Sequence, residues 1–231
     1  MVETENQTLS VSHRGSLGSK AFMILRDKIL NDEYQRGQKL NEAALAHELN
    51  ISRTPIREAL KRLELEGLVE SIPNKGVYVI GFSPRDIDDM FEIRVALEGL
   101  AIELAIDRMD EIHLDRIKEI FELMQFYTAK EDSKKIAELN IEYHDAIYQS
   151  TCSQYFAQLL KDINYYVSVT SRHSISQPER LDTALKEHKA IYDAIIMKDK
   201  HKAKRMIQKH IRSTQQLVKK YYAKHGKSIE S

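Results

Sequence analysis

Asn140 and His144 lie four apart in the segment ELNIEYHDAIYQ, so in a helix they share one face. That face also carries Ala137, Ile141 and Ile147, which turns both polar side chains inward. Further along, His188 lies between Leu185 and Ile191 with Leu181 and Ile195 on the same side, and His210 lies among Ile207, Thr214 and Leu217. Three amphipathic segments thus each aim a histidine at an apolar interior. A single inward histidine is ordinarily satisfied by a nearby carbonyl. Three in one core share a desolvation cost of several kcal/mol, and a divalent cation gives all of them a use. With an oxygen from Asn140, the three imidazoles leave a coordination position open for water or a ligand carboxylate. Five of the other histidines lack this setting: His13 is near the chain start, His47 lies in an earlier segment, His113 opens a helix, His173 sits in a polar stretch and His201 lies in KDKHKAK.

Facing helices of a bundle are what such a site requires. From Ser83 onward the glycines and strand-like runs nearly vanish and helical periodicity takes over. Ser83-Pro84 opens a long helix to about Met109, and further helices fit about 110–129, 132–150, 153–172, 178–197 and 199–223. The fold class is mainly α, with residues 83–224 as a self-sufficient antiparallel bundle and 225–231 as a tail. Arg94 and Glu98 in FEIRVALEGLAIELA are spaced for an i, i+4 ion pair on a helix surface, or for a contact from Arg94 to a ligand carboxylate. Tyr165, Tyr166 and Arg172 are further pocket candidates.

A second chemistry is written in residues 41–68, NEAALAHELNISRTPIREALKRLELEGL. From Ser52 to about Glu66, Ile56, Ala59, Leu60 and Leu63 fall on one side of a helix, while Arg53, Arg57 and Lys61 form a cationic stripe on another. Ser52 and Thr54 suit a helix start, Pro55 its first turn and Gly67 its end. A shorter helix from about Asn41 to Leu49 supplies Ala44, Leu45 and Leu49 to a shared core, and the turn at Asn50-Ile51 forces a sharp angle. An earlier helix, about 19–31, adds Phe22, Leu25 and Ile29. Beyond Gly67, Val69, Val77 and Val79 have strand character around the turn Pro73-Asn74-Lys75-Gly76, which makes a hairpin wing. Two short helices with a cationic second member are suited to the DNA major groove.

Within a first domain read as 17–82, residues 17–80 are similar to the winged helix-turn-helix domain of GntR-type bacterial transcription regulators, through L-N-E-x-x-L-A, then I-S-R-T-P-I-R-E-A-L-x-x-L-x-x-x-G-L-V, then the N-K-G wing. The resemblance implies that Arg53, Thr54 and Arg57 contact bases or phosphates, with Ser52 at the helix start and Lys75-Gly76 entering the minor groove. Some members carry an arginine where this chain has Ala43, and that contact does not transfer. The later helices resemble the FCD ligand-binding domain of one branch of that family, in which Asp or Asn precedes a histidine by four, a second histidine lies in E-H-x-x-I-x-x-A-I and a third in H-I or H-L. Those positions are Asn140, His144, Glu187-His188 and His210-Ile211, and Arg94 and Glu98 fit the family's R-x-x-L-E. The resemblance implies a metal and a small carboxylate or sugar-acid effector. Asn140 leaves the site one negative charge short of the aspartate version, and three imidazoles suit zinc or nickel better than magnesium or calcium.

Composition bounds the remaining options. The 231 residues carry 35 basic and 35 acidic side chains, and residues 1–80 carry 11 of each, so no global electrostatic footprint for nucleic acid exists. The local one, Arg53, Arg57, Lys61 and Arg62 against Glu58, is modest and calls for two recognition helices on a two-fold operator, hence a homodimer on double-stranded DNA. Cys152 is the lone cysteine, which excludes an intramolecular disulfide and a thiolate zinc cluster. Residues 1–16 read as a disordered tail without the apolar core of a signal peptide, and no apolar run is long enough to span a membrane, so a cytoplasmic location is expected. A histidine-metal hydrolase would need a general base beside the metal, and no H-E-x-x-H or comparable motif occurs. A DNA-binding dimer with a purely structural bundle is the remaining alternative to an effector-responsive repressor.

Overall fold

The computed structural model describes residues 16–170 and 178–224. His13, Arg172, His173 and the tail at 225–231 lie outside them. The chain divides into two compact units after Gly81.

In the first unit, α1 (Leu17–Leu30) starts at Ser16, whose hydroxyl accepts from the Ser19 amide, and buries Phe22, Leu25 and Ile29. The strand β1 (Lys39–Leu40) leads into α2 (Glu42–Glu48), capped by the Asn41 side chain, which accepts from the amides of Ala43 and Ala44. Asn50 then takes a left-handed φ of 51°, a conformation asparagine tolerates, and turns the chain into α3 (Arg53–Leu65). Gly67, with φ of 71°, ends that helix. The hairpin β2 (Val69–Ile72) and β3 (Gly76–Val79) follows, and the sheet order is β1-β3-β2, all antiparallel. The third strand is absent from the sequence expectation, because two residues carry no alternation to detect.

The core of this unit joins α1 and α3 through Leu25, Ile56, Ala59 and Leu63, all essentially inaccessible. Each large apolar member contributes about 1.5–3 kcal/mol. One expected core residue is misplaced: Ala44 is exposed, and Ala46 is buried beside Leu45 instead. The inward face of this short helix is centred between Leu45 and Ala46, which turns Ala44 away.

Among the described residues of the second unit every regular element is helical. These are α4 (Pro84–Arg108), α5 (Glu111–Ala129), α6 (Ser133–Gln149), α7 (Gln154–Thr170), α8 (Pro178–Ile196) and α9 (Lys200–Lys224). Ser83 and Asp86 form a reciprocal capping box at the start of α4, and Asp110 and Asp132 cap α5 and α6. The apolar core runs through Phe91, Ile102, Ile117, Tyr143, Ile191 and Ile207, so α4, α5, α6, α8 and α9 share it. The helices α4 and α9 pack closely at Gly99, where a Cβ would stand 2.7 Å from Gln208 Nε2; that amide donates to the Val95 carbonyl at 3.1 Å. No helix among the described residues is long and apolar enough to cross a membrane.

Candidate functional site

The interior face of α6 is Ile136, Leu139, Tyr143, His144 and Ile147. Ala137, expected on that face, is exposed. The helical register centres the buried stripe on Leu139 and Tyr143, so His144 is still inward while Ala137 falls to the solvent side. On α8, His188 is fully buried, with Tyr143 edge-on to its ring at 5.0 Å. On α9, His210 is 4 % exposed.

The three imidazoles converge: one ring nitrogen from each lies within 4.8 Å of the others. His144 Nδ1 donates to Glu98 Oε2 at 2.7 Å, His210 Nδ1 donates to Glu187 Oε2 at 2.8 Å, and His188 Nδ1 donates to the Ala184 carbonyl at 2.7 Å. Acceptors that cannot donate fix the proton on Nδ1, so the neutral rings turn bare Nε2 lone pairs toward one another. His144 Nε2 and His210 Nε2 are 3.3 Å apart, and His188 Nε2 is buried without a hydrogen-bond partner among the described residues. Lone pairs facing lone pairs in a dry core are unfavourable unless something electrophilic lies between them. The donor set therefore fits a divalent cation, with all three tautomers already arranged for coordination.

Electrostatics keep the donors in that state. Burial, followed by the nearby His210 and His144 rings, holds His188 well below the ordinary basicity of histidine. Burial likewise lowers His210 to about 4, against the opposing bond to Glu187. Burial pushes the Glu98 carboxyl up, but the charge of Arg94 and the hydrogen bond from His144 outweigh it and hold it at about 2. Glu187 is balanced the same way and also sits at about 2, its hydrogen bonds from His210 and Arg180 overcoming burial.

Each carboxylate thus bridges a histidine to an arginine. Arg94 Nε donates to Glu98 at 2.6 Å, and Arg180 Nη2 lies 2.7 Å from Glu187. The surface-pair expectation for Arg94 and Glu98 is overturned, since the side chains are 6 % and 0 % exposed. The bulk of α9 and α6 covers that face of α4, which i, i+4 spacing alone does not reveal. Both arginines line a cavity of about 30 Å³ together with Asn140, His144, His210, Ser168 and Thr214. Asn140 stands one turn before His144 on the same helix. Tyr166 packs edge-on against Phe82, and neither it nor Tyr165 is among the cavity-lining residues. Sequence reasoning passed over Arg180 and Ser168. The available signal for Arg180 was its spacing of seven from Glu187, which places both on one face of α8.

The control histidines are elsewhere: His47 is exposed, His113 bonds Asp110 at the start of α5, and His201 is 87 % exposed. Glu142 accepts from Arg116 at 2.9 Å and Asp145 lies 3.7 Å from Lys161, so neither is turned to the imidazoles as a general base.

In the first unit, Arg53, Thr54 and Lys61 are exposed along α3, with Ser52 exposed at its start. Arg57 is exposed too, its Nε held by Glu42 of α2 at 2.9 Å. Lys75 and Gly76 lie exposed at the hairpin tip. Arg62, counted in the local charge, is exposed as well, with its guanidinium 3.9 Å over the Phe22 ring.

Residues 89–213 match the model of the FCD domain, and residues 17–79 match that of the bacterial regulatory proteins of the gntR family. The chain is 30 % identical over 188 residues to the uncharacterized HTH-type transcriptional regulator YdhC of Bacillus subtilis, covering 80 % of this chain and 84 % of that one. It is 26 % identical over 193 residues to the gluconate operon transcriptional repressor of Bacillus licheniformis, covering 81 % and 79 % respectively. The solved structure of E. coli McbR/YncC shares the fold with a TM-score of 0.73 at 22 % identity, covering 90 % of this chain and all of that one. A winged helix followed by an FCD bundle places the chain in the gntR family, as a ligand-responsive DNA-binding transcription regulator and not an enzyme.

Proposed function

We propose that the protein is a homodimeric repressor whose affinity for double-stranded operator DNA is set by a small carboxylate or sugar acid, held with a divalent metal at Asn140, His144, His188 and His210. The observation that carries the reading is the convergence of three bare Nε2 atoms, each ring locked by a bond at Nδ1. Zinc or nickel suits three imidazoles. When bound, such a cation supplies a Lewis-acidic position for one carboxylate oxygen. Arg94, at the cavity wall, adds positive charge for the acid, while its bond to Glu98 keeps His144 oriented.

On the DNA side, Arg53, Thr54 and Arg57 read bases or phosphates, Ser52 and Lys61 add contacts along α3, and Lys75-Gly76 enter the minor groove. The Ser52 hydroxyl makes no capping bond, which leaves it available for a phosphate. Exposed Ile93 and Leu100 on α4 and Leu159 on α7 supply apolar surface for a second copy. That a relative represses a gluconate operon supports an organic acid as the signal. The acid alters bundle packing and, through the dimer, the spacing of the two recognition helices, so operator and acid affinities are linked.

The test is operator binding by fluorescence anisotropy during titration of organic acids at constant zinc. An affinity change with one acid is the expected result. Indifference to all of them, together with no metal in the purified protein, favours a bundle that serves dimerisation alone.

A further inference from the structure

One side chain of the cavity remains with donors unused. Arg180, near the start of α8, is 5 % exposed, and its Nη2 donates to Glu187 Oε2 at 2.7 Å and to Thr214 Oγ1 at 3.0 Å. Its Nε and Nη1 are buried and have no hydrogen-bond partner among the described residues. A guanidinium carries five N–H donors, so the Nε proton and both Nη1 protons are unmatched. Leaving charged donors dry and unpaired is costly, and a ligand acceptor is the remedy the cavity offers.

The charge of the surroundings says which acceptor. Glu98 pairs with Arg94 and Glu187 with Arg180, Asn140 carries no charge, and each imidazole has its Nδ1 on an acceptor, with Nε2 left for a cation. A cation among the imidazoles therefore leaves the site positive, and an anion restores balance. The volume says how large that anion is. About 30 Å³ takes about two waters, room for the carboxylate and a short tail.

We infer that Arg180 anchors the carboxylate of a short-chain organic acid through Nε and Nη1, with Ser168 and Thr214 beside it, and that this arginine sets the specificity of the cavity. The inference deepens the effector reading and rests on it. Arg94 differs in kind, because its Nε is engaged by Glu98 and its charge serves His144.

The test uses the full-length protein loaded with zinc, with acetate as the probe and gluconate as the long comparison, followed by calorimetric titration. Acetate binds the wild type more tightly than gluconate does. Arg180→Met weakens acetate binding about tenfold or more. Because that variant strips Glu187 of its charged partner, Arg180→Lys is measured beside it: lysine keeps the charge but lacks the planar donors, and it also loses about tenfold. Zinc affinity, read separately by chelator competition, stays within about threefold in Arg180→Lys, since Glu187 keeps a cationic neighbour. Equal acetate binding by the wild type and Arg180→Lys overturns the assignment of Arg180 while leaving the effector reading intact. Tighter binding of gluconate overturns the size limit. A wild type that binds neither acid overturns the effector reading and this inference with it.

Discussion

His144 and His210 present their Nε2 atoms to each other across 3.3 Å, while each gives its Nδ1 proton to a carboxylate. Two neutral imidazoles in those tautomers cannot hydrogen bond through Nε2, so the contact is favourable only with a cation between them. Zinc should therefore stabilise the folded protein. At free zinc one hundredfold above its Kd the gain is about 2.7 kcal/mol, or about 5–10 °C in the unfolding midpoint. Chelation reverses the shift, and alanine at His144, His188 or His210 abolishes it, whereas His113→Ala keeps it. Scanning calorimetry with and without zinc decides the matter, and an identical midpoint in both conditions would count against the site.

Glu98 is the hinge between the metal donors and the rest of the bundle. Its Oε1 accepts from Arg94 and its Oε2 from His144, with no exposure to water. Glu98→Gln leaves the buried Arg94 guanidinium without its counter-charge, a loss of about 3–5 kcal/mol. The same change loosens His144 and lowers zinc affinity about 10–100-fold. Glu142→Gln is the control on a neighbouring helix: its bond is to Arg116 at the surface, and the effect stays below about 1 kcal/mol. Denaturant unfolding and zinc titration of the two variants separate these outcomes, and equal behaviour would place Glu98 among ordinary ion pairs.

How far the molecule is legible in the sequence follows from what sets each feature. The helices of the bundle are local objects, and their caps at Ser83, Asp110 and Asp132 mark starts that fall within a residue of those observed. The inward turn of His144, His188 and His210 is also local, since neighbouring apolar residues on one helix fix it. The bonds that tune those rings are not. Glu98 reaches His144 across 46 positions, and Glu187 reaches His210 across 23. Arg180 is harder still, because its burial and its bond to Thr214 depend on how α8 lies on α9. Ala44 and Ala137 show the opposite limit: the periodicity was sound, but small side chains at the border of a stripe do not say on which side they fall.

Arg53 and Arg62 carry the same charge nine positions apart and should behave oppositely. Both are exposed on α3, but Arg62 lies 3.9 Å over the Phe22 ring and donates to the Ser19 hydroxyl at 3.2 Å. Arg53→Ala should leave the fold intact and weaken operator binding by about 1–3 kcal/mol if it reads a base; if it holds a phosphate, the salt slope falls by about 1. Arg62→Ala should lower stability by about 0.5–1 kcal/mol through the lost ring contact, with the smaller effect on DNA. Operator binding across a salt series, beside urea unfolding, distinguishes the two. A larger operator defect in Arg62→Ala than in Arg53→Ala would mean that the cationic stripe is not the reading face.

If the acid and the operator favour different arrangements of one dimer, their affinities are tied by a single coupling energy. The factor by which acid changes the operator Kd must then equal the factor by which operator changes the acid Kd, measured at one zinc concentration. A working switch needs about 1–3 kcal/mol, or about 5–150-fold. Arg180→Lys should weaken acid binding while leaving the operator affinity of the acid-free protein unchanged, because Arg180 is buried in the second unit and the groups expected to meet DNA belong to the first. More acid is then needed for the same release, so the dose curve shifts while its limits stay where they were. A changed limit in the variant would place Arg180 in the conformational equilibrium itself and not in recognition of the acid, and the two effects are separable by fitting both titrations to one linked scheme.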